Sequence, residues 1–504
     1  MPESRQSGRT PAWGAHLPPE LALDSVDLLE DRSLTGRFTR RWAERPAWPQ
    51  LRDLDGSWIS SDELEERTRV AARRLLGAGL KAGDRFVISG GTSAGLVIAY
   101  IGALRAGLIV VPMNTAYTRA EVERIARDAK PAGAALEDDQ RAAWIRQARA
   151  EASMLISGVE LGELPDAVGP DSEVDRADSD DPALLIYTSG TTGEPKGALL
   201  SHGNLLASAT AVNLAWRWEP DDRLLLTLPL FHVHGLGVGL NGSLCAGAAV
   251  VLRAKFDADD VARRSGEVSL FFAVPTMYQR LASSDKATAL RGVRLLVSGS
   301  APLPEALCAE IAAAAGQIPL ERYGMTETIM LTSNPYQGER KPGTVGFPLP
   351  GVEVRLAESG EVEVRGPNVI AGYYERPDAN AESFTADGWF RTGDLGQFDD
   401  DGYLALIGRS KELIITGGYN VHPREVEEAL ATHHAVREVA VIGRQSERWG
   451  EEVTAVVVAS EPVATGELRA HAAQQLAPYK VPKRIEFADE LPRNAMGKLM
   501  RGEL

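Results

Sequence analysis

Along most of the chain, short apolar runs exchange with stretches whose apolar positions recur at helical spacing. Residues 61–76 (SDELEERTRVAARRLL) read as a helix with Ser61 as its expected cap, and residues 85–89 (RFVIS) read as a strand. Residues 120–130 read as a further helix capped by Thr118. The longest apolar stretch, residues 95–113, is broken by Arg105 and several glycines; it is predicted to be a buried helix over 96–104 and a strand over 108–112, not a membrane span. An acidic connector, DSEVDRADSDD (171–181), precedes a strand over 183–187 and a Gly/Thr-rich loop. Strand-like runs beginning at residues 223, 249, 270, 294 and 319 continue the alternation, which predicts a parallel, helix-covered sheet. Residues 345–408 change to short alternating strands with Gly and Asp turns, a small β region. Beyond residue 408 the pattern is a compact α+β unit, with helices over 423–432 and 465–476 and strands over 438–442 and 452–458. Residues 1–20 carry no such pattern and are expected to be disordered.

A length of 504 residues points to two or three domains. The formal charge of -16 speaks against nucleic-acid binding, which needs basic patches, while leaving anionic small molecules open, since local charge holds those. The N-terminal MPESRQSGRTPAWG lacks the apolar core of a signal peptide, so a cytoplasmic protein without a membrane partner is expected. Two distant cysteines, Cys245 and Cys308, form neither a disulfide framework nor a zinc pattern and read as small core residues.

The most informative segment is YTSGTTGEPKG (187–197). Its glycines, Gly190 among them, let backbone amides turn toward a phosphate; the hydroxyls of Thr188, Ser189, Thr191 and Thr192 add donors, and Lys196 adds a mobile charge. It follows a strand, yet no Gly-Lys-Ser/Thr closes it as in a Walker A loop. The segment resembles the phosphate-binding signature of the adenylate-forming superfamily, which comprises acyl-CoA synthetases, adenylation domains of peptide synthetases and luciferases. The resemblance runs from about residue 30 onward, with the family's further motifs in order.

In RYGMTE (322–327), Tyr323 offers a flat face to adenine, Gly324 allows close approach, Thr326 offers a hydroxyl to phosphate, and Glu327 matches the family's Mg²⁺ ligand, with Thr188 beside it. The resemblance adds Ser300, Ala301 and Glu321 to the nucleotide contacts. In WFRTGD (389–394), Asp394 matches the carboxylate that takes the ribose hydroxyls, and Arg409 matches a second nucleotide contact. Lys411 stands at the family's hinge, Gly417 and Gly418 line its thiol tunnel, and Lys498 matches the lysine of adenylation. His232 is taken as a further catalytic residue. The implied fold is α/β: a large N-terminal domain of stacked, mostly parallel sheets over residues 21–408, with a β subdomain at about 345–408, a hinge at 409–411 and a small mobile α+β domain over 412–504. The implied reaction uses ATP, Mg²⁺ and coenzyme A: a carboxylic acid is adenylated, then passed to a thiol as the C-terminal domain rotates between half-reactions.

Cationic and polar side chains near these motifs point to an acid with a second carboxylate, because arginine suits bidentate carboxylate binding. LPLFHVHG (228–235), ERYGMTET (321–328) and TSNPY (332–336) resemble the malonyl-CoA synthetase subgroup. That resemblance implies that Arg280, Ser300 and Arg322 bind the distal carboxylate of malonate, with His232, Val233 and Met325 around the α-carbon. Some relatives have Thr where Val233 stands, which leaves methylmalonate open. A ligase for another small or medium-chain acid, and an enzyme loading a separate carrier protein, are the alternatives; no carrier domain follows Lys498.

Overall fold

The computed structural model describes residues 12–18, 20–22, 25–149, 154–157, 169–188, 196–446, 448–494 and 499–504. The chain divides into two compact units, one comprising the described residues up to Glu353 with Arg365–Gly388, the other Val354–Val364 with Trp389–Leu504.

The first unit is built on two sheets. One has nine strands, and its interior is parallel: Leu320–Tyr323, Leu295–Ser298, Leu270–Ala273, Arg223–Leu226, Ala249–Leu252 and Pro49–Arg52 lie side by side in that order. Strands 249–252, 270–273, 295–298 and 320–323 are buried at every position, as expected of parallel strands covered on both faces. Antiparallel partners enter only at the edges, Trp58–Ser60 at one and Thr332–Ser333 with Phe347–Pro348 at the other. The second sheet has six strands, parallel throughout except for the hairpin of Pro182–Thr188 with Lys196–Ser201. That hairpin brackets the Gly/Thr-rich loop.

The helices follow the predicted places with small shifts. The first long one spans Ser61–Gly77 and is capped by Ser60 rather than Ser61: the Ser60 N–H donates to the Glu63 carboxylate at 2.8 Å, half of a capping box. Thr118 does cap Arg119–Ala129. Helix Ala94–Arg105 is buried all round, and a side chain at Gly102 would collide with Ala71, so the glycine sets how closely these two helices approach. The expectation of a disordered N-terminus is corrected in part. Ala12–His16 form a 3-10 turn, and His16 is buried with Nε2 3.2 Å from the Phe347 carbonyl; residues 1–11 lie outside the described residues. Among the described residues no helix is long and apolar enough to cross a membrane.

The second unit holds an antiparallel sheet in the order Glu353–Leu356, Glu361–Arg365, Phe390–Phe398, Leu404–Arg409, where the sequence predicts a β region. It also holds a five-stranded sheet whose long hairpin, Val436–Ser446 with Gly450–Ala459, packs against helices Pro423–Ala431 and Thr465–Ala473. Residues 389–408 thus pack with the C-terminal residues, whereas the sequence reading groups them with the N-terminal domain.

Candidate functional site

In open parallel sheets, ligands sit beyond the carboxyl ends of the strands, where the following loops converge. Leu295–Ser298 and Leu320–Tyr323 are neighbours in register, Ser298 opposite Glu321, and each runs into a segment marked by the motifs. After the first come Gly299, Ser300 and Ala301; after the second, Gly324 to Glu327. Glu321 steadies the first loop by accepting from the Leu303 N–H at 3.0 Å. Gly324 must lack a side chain, because a Cβ would overlap the Ile329 carbonyl as the chain folds back, with Thr328 and Ile329 donating to the Met325 carbonyl.

Arg322 is the unusual member. It is 5% exposed, on an all-buried strand, and its Nε and Nη2 have no hydrogen-bond partner among the described residues. Burial pulls its guanidinium below the ordinary arginine range, to about 9. Gly299 makes room for it: a Cβ there would overlap the guanidinium. Ser300, at φ 70°, is held in the left-handed region that non-glycine residues seldom adopt, and its hydroxyl lies 3.1 Å from His234 Nδ1. His234 opens a π-helical turn, His234–Leu240, a form often found at functional sites. Burial, then the charge of Arg322 and the neighbouring His232, hold His234 well below the usual histidine range, so the ring is neutral. His234 Nε2 and Ser298 Oγ are also buried without partners among the described residues. Arg322, Ser300 and His234 therefore form one polar cluster. His232 Nδ1 accepts from the His234 N–H at 3.1 Å; Val233 is buried beside it, and Met325 is half-buried. Sequence reasoning assigned His234 no site role; its contact with Ser300, 66 positions away, has no local signature.

A second cluster joins the phosphate loop to the metal motif. Thr188 and Lys196 face each other across the hairpin, Thr188 Oγ1 donating to the Lys196 carbonyl at 3.4 Å. The Lys196 ammonium lies 5.3 Å from the centre of the Tyr373 ring, and the Tyr373 hydroxyl donates to Glu327 Oε1 at 2.8 Å. Tyr373 was missed in the sequence; the Gly-Tyr-Tyr string that contains it is a weak signal. Tyr323 ends its strand almost buried, and Thr326 is half-buried. Ser189, Gly190, Thr191 and Thr192 lie outside the described residues.

In the second unit, Asp394 and Arg409 face each other in register, with Arg409 Nε 3.1 Å from Asp394 Oδ1. Lys411 lies exposed in the short turn Ser410–Glu412. Gly417 and Gly418 are the two-residue turn between Ile414–Thr416 and Tyr419–Val421; both have positive φ, 57° and 82°, the signature of a tight hairpin turn. Lys498 lies outside the described residues. Arg280 lies on the surface of the first unit. Helix Pro275–Ser283 buries Tyr278 and Leu281, which leaves Arg280 exposed with its guanidinium 5.0 Å from the centre of the Phe256 ring.

Comparison with known proteins shows the family. Residues 38–374 match the family described as AMP-binding enzyme, and residues 425–498 its C-terminal domain. The malonate–CoA ligase of Arabidopsis thaliana is 36% identical over 86% of this chain and 79% of its own length. The sulfoacetate–CoA ligase of Cupriavidus necator is 37% identical over 94% of this chain and 97% of its own. ATP-bound MatB from Rhodopseudomonas palustris superposes with a TM-score of 0.86 at 37% identity, covering 94% and 98% of the two chains. The chain belongs to the family of AMP-binding, adenylate-forming enzymes. Within that family it is an AMP-forming acyl-CoA ligase, and ATP and coenzyme A are its co-substrates. Ligases for oxalate and for ferulate stand at comparable identity, so likeness alone does not name the acid.

Proposed function

We propose that the chain joins malonate to coenzyme A through an acyl-adenylate, giving malonyl-CoA, AMP and pyrophosphate. The observation that carries this reading is Arg322, a buried cation whose Nε and Nη2 lack partners among the described residues. An isolated buried charge costs several kcal/mol, and a substrate anion removes that penalty. Malonate has one carboxylate to activate and a second to meet Arg322, with the Ser300 hydroxyl and the neutral His234 adding hydrogen bonds. Val233 and Met325 line the α-carbon, and methylmalonate is a second candidate for the same pocket.

In the first half-reaction, an oxygen of the substrate carboxylate attacks the α-phosphorus of ATP, the bond to the β-phosphate oxygen breaks, and pyrophosphate leaves. Lys196, Lys498 and the loop hydroxyls offset the negative charge that develops. Tyr323 lies along the adenine, and Asp394 with Arg409 holds the ribose. Mg²⁺ fits the donors present, because it takes one or two carboxylates together with phosphates, and Glu327 is a buried carboxylate oriented by Tyr373. Glu327 and Thr188 would hold the ion, which would neutralise phosphate charge. In the second half-reaction, the CoA sulfur attacks the acyl carbon, the thiol proton passes to solvent, and AMP leaves. Lys498 serves the first step and the Gly417–Gly418 turn the second, with a rearrangement pivoting at residues 409–411 between them.

The test is kcat/KM, by AMP release, across malonate, methylmalonate, sulfoacetate and butyrate. Malonate is expected to exceed butyrate by on the order of 10⁴, since a site built for a polar group strongly rejects the analogue lacking it. Preference for butyrate would leave only the general ligase assignment standing.

A further inference from the structure

Segment 370–376 crosses the open side of the phosphate-loop hairpin and ties down both of its ends. At the exit, Tyr373 bridges to Ala198, and the Tyr374 N–H donates to the Gly197 carbonyl at 2.8 Å. At the entrance, Asp128 accepts from the Tyr187 hydroxyl at 2.7 Å and also from Arg376. The backbone of Tyr373 is held on both sides by Asn380, which accepts from its N–H at 2.6 Å and donates to its carbonyl at 3.2 Å. Its ring is thereby fixed with one face toward the Lys196 ammonium and its hydroxyl on Glu327.

We propose that Tyr373 is a positioning residue for the metal–nucleotide complex: it holds one oxygen of Glu327 so that the other faces the cation, and it sets Lys196 against the phosphates. The proposal rests on Glu327 being the Mg²⁺ ligand. The two contacts separate by chemistry. Tyr373→Phe removes the hydrogen bond to Glu327 and keeps the ring under Lys196; Tyr373→Leu removes both. A carboxylate released from a charge-assisted hydrogen bond gains orientations that do not face the metal, at a loss of about tenfold in equilibrium terms.

The experiment is calorimetric titration of ATP into the full chain without acid or CoA, once in EDTA and once in Mg²⁺. Wild type is expected to bind more tightly with the metal. Tyr373→Phe should lose about tenfold of that gain while its affinity in EDTA is unchanged, and Tyr373→Leu should weaken binding in EDTA as well. Glu375→Gln, on the same segment but in an exposed pair with Lys130, should behave as wild type. An equal loss in EDTA and in Mg²⁺ for the Phe variant would reduce Tyr373 to a fold-supporting residue. Glu327→Gln separates the two layers of inference. If it keeps the metal gain, the metal assignment falls and the proposal with it; if it loses the gain while Tyr373→Phe keeps it, only the positioning role falls.

Discussion

Two buried arginines of the first unit stand in opposite electrostatic settings. Arg105, at the end of helix Ala94–Arg105, has every guanidinium nitrogen engaged: Nε and Nη2 donate to Asp175, Nη2 also to Glu65, and Nη1 to the Glu65 carbonyl and the Thr68 hydroxyl. Arg322 is comparably buried yet has Nε and Nη2 unengaged among the described residues. Burying a cation is tolerable when the fold supplies the counter-charge. Arg105 is completed by its own chain and acts as a structural tie between helices. Arg322 is left without such partners among the described residues, and on the proposed function an external anion supplies them.

The comparison breaks first at substrate choice. Arg322→Ala should lower kcat/KM for malonate by on the order of 10⁴ and change the KM for ATP little, because the lost partner concerns the second carboxylate only. Retained malonate preference in this variant would remove the receptor reading and make Arg322 a second structural arginine.

Stability offers the next contrast, and here the signs should differ. Arg105→Met strands two acidic partners and should destabilise by about 3 kcal/mol, the low end for a broken buried pair, since Glu65 and Asp175 keep some solvent contact. Arg322→Met strands no carboxylate partner among the described residues and removes an unpaired charge, so it should stabilise the unliganded protein by roughly 1–4 kcal/mol. Denaturant unfolding of the two variants decides it; loss of stability in both would erase the distinction. An external anion should act as the missing partner. At about a hundred times its Kd, malonate should add about 2.7 kcal/mol to wild type, read as a rise in Tm with a non-hydrolysable ATP analogue present. Butyrate should add much less, and Arg322→Met should give no malonate-specific rise.

How much of this was legible in the sequence follows from how local each cause is. The strands around residues 249, 270, 295 and 320 were legible because burial on both faces writes a continuous apolar run. The Ser60 cap was misplaced by one residue because two serines stand together and only geometry selects which one precedes the first helical residue. His16 was misread because its partner is the carbonyl of Phe347, far along the chain. The motifs named Arg322, Ser300 and Glu327. What they could not carry was the state of each side chain: the missing partners of Arg322, the space left by Gly299, or the Tyr373 hydroxyl on Glu327. Those are properties of packing between segments, not of any one segment.

The smallest expected effect concerns the buried histidines. His202, the first residue of helix His202–Ala215, is fully buried with neither ring nitrogen bonded among the described residues, and burial lowers it to about 4, against an opposing pull from Asp181. Its unfolded counterpart protonates near 6.5, so between those values the unfolded chain binds a proton that the native protein does not. Stability is therefore present above about 6.5 and is lost as pH falls through that window, by about 1.4 kcal/mol per pH unit for each such group. His202→Asn should flatten the slope of unfolding free energy against pH by one proton, measured by urea unfolding at a series of pH values between 6.5 and 4. His234 sharpens the contrast because its depression has a second source in the charge of Arg322. Arg322→Met should let His234 titrate closer to its ordinary range and narrow its share of the acid loss, while the share from His202 stays as it was. If the Met variant leaves the whole profile unchanged, the Arg322 charge does not reach His234, and the two do not form one electrostatic site.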